Sequence, residues 1–149
     1  MTGENMDLNQ LTIKQAQEGL KNKKFSSVEL TKACLEQIKK HNPTINAFIT
    51  VCEDSALHEA KKADQQFNNT LPLLGIPIAL KDLFSTKGIK TTAGSKVLEN
   101  YIPPYDATVV RKLKDAGAVI IGKTNLDAWG HGSSGENSDF GPTKNPWNS

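Results

Sequence analysis

The stretch DATVVRKLKDAGAVIIG, Asp106 to Gly122, holds a helix and a strand with one glycine between them. Asp106 is placed to cap the helix, and Val109, Val110 and Leu113 recur on one face. Gly117 suits the left-handed residue that closes it. Ala118 to Gly122 follows directly as an apolar run, which reads as a buried strand. Upstream, GIPIALKDLFSTKG, Gly75 to Gly88, gives a second apolar run, Ile76 to Leu80, bounded by Gly75 and by Lys81-Asp82. It suits a strand buried on both faces, starting at or irregular around Pro77. Strand, connection, helix, strand is the order of an α/β fold with at least some parallel pairing.

Outward from this centre, Thr12-Ile-Lys-Gln15 and Ser26-Ser-Val-Glu29 both have the capping-box form. The first opens a short helix with Ile13, Ala16 and Leu20 on one face, ending between Gly19 and Asn22. The second opens a helix with Leu30, Ala33, Cys34 and Ile38 inward, and Asn42-Pro43 is expected to stop it. Ala47 to Val51 reads as a strand. Asp54 is expected to cap a third helix, with Leu57, Ala60, Ala63 and Phe67 along one side, before a turn-rich connection from Asn68 to Pro72. Asn125 is expected to cap a short helix through Trp129. Beyond it, GHGSSGENSDFGPTKNPWNS has no apolar periodicity and reads as a long ordered loop anchored by Phe140 and Trp147. There is no internal repeat and no low-complexity tract.

Composition removes several classes of function. Among 149 residues, 37% hydrophobic and 23% charged is ordinary for a globular protein, and a net charge of +2 is too small to argue for nucleic acid. Lys21-Asn22-Lys23-Lys24 reads as a solvated face. Cys34 and Cys52 follow no metal or redox spacing and read as packing residues. His41, His58 and His131 form no metal-binding pair, so no metal is expected. No apolar run approaches the roughly 20 residues a membrane helix needs, and the N-terminus lacks the order of a signal peptide. A reduced, cytoplasmic protein is the expectation. Walker, dinucleotide, H-E-x-x-H, C-x-x-C and G-x-S-x-G motifs are all absent.

Two features remain that could carry chemistry. Lys81 ends its apolar run, so either its stem packs while the amine reaches water, or the amine works as a general base. A free lysine titrates near 10.4, and a lysine base working near neutral pH must be lowered to about 7–8 by burial and neighbours. The carboxyl end of a strand in an open α/β sheet is where ligands bind. The second feature is Gly132-Ser-Ser-Gly-Glu-Asn-Ser138. Ser133, Ser134 and Ser138 are either ordinary turn residues or hydroxyls lining a pocket, and a Ser–Lys pairing is one way to activate a nucleophile.

Taken together, LLGIPIALKDLFSTKGIKTTAGS, DATVVRKLKDAGAVIIGKTNLDAW and GSSGENSDFGPTKNPWN resemble the amidase-signature family, in its order and spacing. The resemblance covers most of the chain from Leu73 to Asn148. Within the family, GENSDFGPTKNPW is most similar to the tRNA-dependent amidotransferase branch. The resemblance implies a mixed, partly parallel sheet flanked by helices, with residues 1–149 as the N-terminal part of one such domain: a helical segment over 1–45 and the start of the α/β core over 46–149. It implies a Ser–cisSer–Lys triad in which Lys81 is the general base, and it makes Gly132, Ser133 and Ser134 possible substrate-pocket residues. The nucleophile and the cis-serine belong to a Gly/Ser-rich signature expected a few residues after Asn145-Pro-Trp147, and neither is among these residues.

For that branch the resemblance implies glutamine hydrolysis, releasing ammonia that converts Glu-tRNA(Gln) or Asp-tRNA(Asn) to the amidated form. It implies B and C partner subunits, with aminoacyl-tRNA, ATP and magnesium bound by the B partner and no cofactor on this chain. Two other readings are a stand-alone amidase cleaving small amides and a truncated, non-catalytic chain. His131 and Gly135 stand where the branch often has methionine and threonine, a departure that bears on pocket shape.

Overall fold

The computed structural model describes residues 7–66 and 70–147. Its helices are α1 (Ile13–Lys21), α2 (Ser27–Ile45), α3 (Glu53–Asp64) and α4 (Thr108–Asp115), and its strands are β1 (Phe48–Val51), β2 (Pro77–Lys81) and β3 (Val119–Thr124). Single 3₁₀ turns lie at Leu8–Gln10, Lys96–Leu98 and Ala128–Gly130. The sheet order is β1-β3-β2, with β1 antiparallel and β2 parallel to the central β3. The sheet is therefore mixed, as the sequence leads one to expect.

Both capping boxes form, each with the Ser or Thr side chain on the third backbone N–H and the Gln or Glu reaching back. Asp64 from α3 completes the start of α2, accepting from Ser27 N at 2.6 Å and Val28 N at 3.1 Å. Helix α2 does not stop at Asn42-Pro43. It runs through Pro43 to Ile45 and ends where Asn46 turns left-handed at φ 58°. Pro43 has no N–H, so the helix forgoes there the one bond the Lys39 carbonyl would otherwise accept. Asn42 instead fixes the entry to β1, accepting from Phe48 N and donating to Phe48 O.

Helix α3 starts one residue before the expected cap. Cys52 holds the cap position, and Glu53 and Asp54 sit in the first turn, where negative charge suits the helix dipole. Asp106 likewise does not cap α4, which begins after Ala107. Its carboxylate is taken by Lys87 N at 2.7 Å and by Lys114 Nζ at 2.9 Å. Val109 faces solvent, while Val110 and Leu113 pack inward. Phe67 and the first two residues of the 68–72 connection lie outside the described residues.

The two sheet faces are covered differently. Val119 and Ile121 pack with Leu35 of α2 and Ala56 and Ala60 of α3. Leu80 and Ile120 pack with Val110 of α4. Only β3 is buried on both sides. β2 is an edge strand, with Ala79 and Lys81 exposed and Leu80 buried, so the expectation of a fully buried β2 is corrected. The strand begins at Pro77, where the missing N–H costs no ladder bond. β3 is longer than read: it continues past Gly122 through Lys123 to Thr124. It also bulges, because Ile78 opposes Ile120 but Ala79 opposes Gly122. The extra residue resets the alternation, so Lys123 opposes Leu80.

Gly117 ties α4 to both strand entries. Its φ is +90°, its carbonyl accepts from Gly75 N at 2.9 Å, and a Cβ there would lie 2.7 Å from Leu74 Cα. Gly117→Ala would meet both backbone strain and a backbone clash. We expect it to destabilise the intact protein by about 2 kcal/mol or more, read by urea unfolding.

Candidate active site

Parallel pairing brings the carboxyl ends of β2 and β3 together, with Lys81 opposite Thr124. The chain turns directly after Lys81. Phe84 N donates to Lys81 O at 3.0 Å, and Asp82 N donates to Thr124 O at 3.0 Å. Lys81 faces solvent, whereas the next residue, Asp82, is fully enclosed. In this structure the lysine leans out of the sheet edge rather than sitting in a dry place.

The dry lysine is on the neighbouring strand. Lys123 is completely buried; its ammonium donates to Phe84 O at 3.0 Å and to Thr91 Oγ1 at 2.8 Å, and it lies 3.0 Å from Asp82 Oδ1 as an ion pair without a hydrogen bond. Burial pushes its ammonium below the ordinary lysine value, against the pull of the Asp82 carboxylate. Asp82 Oδ2 accepts from Thr92 N at 2.8 Å and Thr92 Oγ1 at 2.5 Å. Breaking such a pair by removing one partner costs about 3–5 kcal/mol, since a charge is left buried alone. The segment Thr91–Ser95 that supplies these partners is itself buried. Thr91 Oγ1 also donates to Ile89 O, and Ser95 Oγ donates to Asp139 Oδ2.

Above this polar layer, Asp127 organises the Ser/Gly loop. Its carboxylate accepts from Asn137 N at 2.8 Å and Gly135 N at 2.9 Å. Those N–H groups, Asn137 first, hold the carboxyl below the usual range, with further contributions from Ser134 N–H and the nearby Lys81 ammonium. Gly132 presses on the same carboxyl, and a Cβ there would lie 2.4 Å from it, so no other residue fits without movement. Asn46 Nδ2 donates to Phe140 O and Gly141 O, and Asn125 Nδ2 donates to Asn46 O and Gly141 O. Asn125 is thus a loop tie, not a helix cap. Residues 128–130 form one turn, with Trp129 at φ 61°.

Among the residues singled out in the sequence, Lys81 stands at the sheet end and Gly132 lies against Asp127. Asp127 relates the two: the Lys81 charge acts on it from beyond ion-pair distance, and it holds the loop by its backbone. Ser133 and Ser134 are exposed in that loop, and Ser134 Oγ accepts from Glu136 N at 3.3 Å. Trp147 is 94% exposed and anchors nothing, while Phe140 is half-buried. Burial pushes the Cys34 and Cys52 thiols up, which fits packing rather than reaction. A cleft of about 920 Å³, lined by Gln17, Lys24, Phe25 and Leu74, lies at the α1–α2 end and includes none of these residues. Among the described residues no group of His, Cys, Asp and Glu could hold a metal ion, and no helix is long and apolar enough to cross a membrane.

A lysine at the carboxyl edge of a mixed sheet, backed by a buried Lys–Asp pair and faced by a Gly/Ser loop, fits the family that the sequence resembles. The family model described as Amidase matches residues 29–149, and the chain belongs to that family. Among curated relatives, it is 54% identical over 145 residues to the A subunit of the glutamyl-tRNA(Gln) amidotransferase of Geobacter metallireducens, covering 96% of this chain and 30% of that protein. Among solved structures, it is similar to the A subunit of the glutamyl-tRNA(Gln) amidotransferase of Thermotoga maritima, with TM-score 0.72 and 38% identity over 97% of this chain and 29% of that one. It is also similar to the native peptide amidase of Stenotrophomonas maltophilia, with TM-score 0.83 and 35% identity over 93% of this chain and 30% of that one. The chain thus spans about 30% of the length of the curated relatives it matches.

The Asp127 latch has a defined pH window. A carboxyl whose folded value is depressed stabilises fully above its unfolded value, near 3.9, and loses that contribution as pH falls through the folded value. Protection of the Gly135 and Asn137 amides from hydrogen exchange should therefore persist at about pH 5. In Asp127→Ala it should fall by about tenfold or more at any pH above that.

Proposed function

We propose that this chain carries the general base of a glutamine-hydrolysing subunit of a tRNA-dependent amidotransferase. The observation that carries the reading is the placement of Lys81: a solvent-facing amine at the carboxyl end of β2, on backbone fixed at both neighbours. The sequence likeness to the A subunits of amidotransferases is higher than that to the peptide amidase, which favours the glutamine-hydrolysing reading over a stand-alone amidase.

In this mechanism the Lys81 amine accepts a proton, through a hydroxyl held in a cis peptide, from the nucleophilic serine. The serine oxygen attacks the side-chain amide carbon of glutamine, and backbone N–H groups stabilise the oxyanion. The carbon–nitrogen bond breaks, and the proton leaves with ammonia. Water then hydrolyses the acyl ester and frees glutamate. On this reading both serines belong to a Gly/Ser-rich signature beyond these 149 residues. Ammonia passes to a B partner that binds aminoacyl-tRNA, ATP and magnesium, with a C partner completing the complex, and the product is the amidated tRNA. Gly132, Ser133 and Ser134 border the amide-binding side of the lysine.

Two measurements test this. In the intact protein, Lys81→Ala should lower ammonia release from glutamine by about 10²–10⁴-fold while leaving the unfolding midpoint unchanged; retained turnover would refute the lysine's role. The 149 residues expressed alone should release no ammonia above background, and robust turnover would overturn the triad assignment.

A further inference from the structure

We infer that the buried Asp82–Lys123 pair is a positioning device for Lys81, an inference that rests on the reading of Lys81 as the base. The Lys81 side chain is exposed, so its aim is set by its backbone. That backbone is held from two sides, and Lys123 stands behind both. Phe84 N donates to Lys81 O, and Phe84 O in turn accepts from Lys123 Nζ at 3.0 Å. Asp82, the next residue, donates from its N to Thr124 O and meets the same ammonium at 3.0 Å through Oδ1. One buried cation thus fixes both the turn that receives the Lys81 carbonyl and the residue that follows it.

Lys123 is not a second base. It donates to Phe84 O and Thr91 Oγ1 and is paired with the Asp82 carboxylate, and an ammonium has no lone pair to offer. Nor is the pair explained by stability, because apolar side chains of similar volume often serve a buried position as well or better. What an apolar pair cannot do is bond the Phe84 carbonyl and so hold the turn after Lys81. A displacement of about 1 Å at a reacting group can cost 10²-fold in rate.

The test uses the intact protein in its complex, with ammonia release from glutamine and the thermal midpoint as readouts. The double variant Asp82→Asn/Lys123→Met removes both charges while keeping shape and an acceptor for Thr92. It should keep its midpoint within about 5 °C, lower kcat by about 30-fold or more and leave KM within about twofold. Lys123→Arg, which keeps the charge and donors, should retain more kcat than Lys123→Met. Thr91→Val removes one acceptor of Lys123 at constant volume, and it should show the same split at about fivefold if the double variant does not fold. Native kcat in a folded double variant, or in Thr91→Val, overturns the inference, as does equal loss in the Arg and Met variants. Activity retained by Lys81→Ala overturns the base itself. Activity lost there but kept in the double variant overturns the positioning role alone.

Discussion

An ammonium with no access to water needs polar partners, and Lys123 finds them on two segments far from it in the chain, donating to Phe84 O and Thr91 Oγ1 and pairing with the Asp82 carboxylate. Asp82 follows β2, Phe84 sits in the turn beyond it, and Thr91 comes from the buried segment that precedes α4. Holding these together is a harder constraint than apolar packing, since a hydrocarbon contact tolerates a shift that a charged hydrogen bond does not. The carboxyl end of the sheet is therefore built on a polar core, while the rest is held by the three apolar clusters.

The Ser/Gly loop obeys the same logic with fewer atoms. Apart from half-buried Phe140, little apolar surface holds it, so its shape comes from Asp127, Asn46 and Asn125 bonding its backbone. Small residues are needed where the loop approaches the carboxylate, which gives Gly132 a steric reason independent of any ligand. A loop held by backbone bonds leaves its hydroxyls turned outward, as at Ser133 and Ser134.

The starts of α1 and α2 and a partly parallel sheet were legible in the sequence because capping boxes, periodicity and the Asp106–Gly122 junction are local signals. Caps at Asp54 and Asp106 were misread because a carboxylate beside a helix serves whichever donor arrives, here Lys87 and Lys114 for Asp106. The apolar run at β2 suggested burial on both faces, but edge position is a property of the whole sheet and is not written in the strand. Lys81 stands out in the sequence because a motif surrounds it. Lys123 was missed because a lysine after an apolar run normally marks the strand's end. The available signal was its symmetry with β2, an apolar run closed by lysine in both, together with Asp82 in need of a counter-charge. Asp127 was missed because its acceptor role is to backbone N–H groups, which leave no trace in residue type.

The bulge in β3 makes strand length unforgiving. Gaining one residue between Ile120 and Lys123 would shift the ladder with β2 and turn Lys123 toward Leu35, Ala56 and Ala60, among which an ammonium has no acceptor. Gly122 is bound to the same place, since a Cβ there would lie 2.6 Å from Thr50 O. Insertions should therefore be rare in this strand among descendants of one ancestral gene. The exposed stretch around Val97 and Ile102, in the same crossover, is free to drift in length.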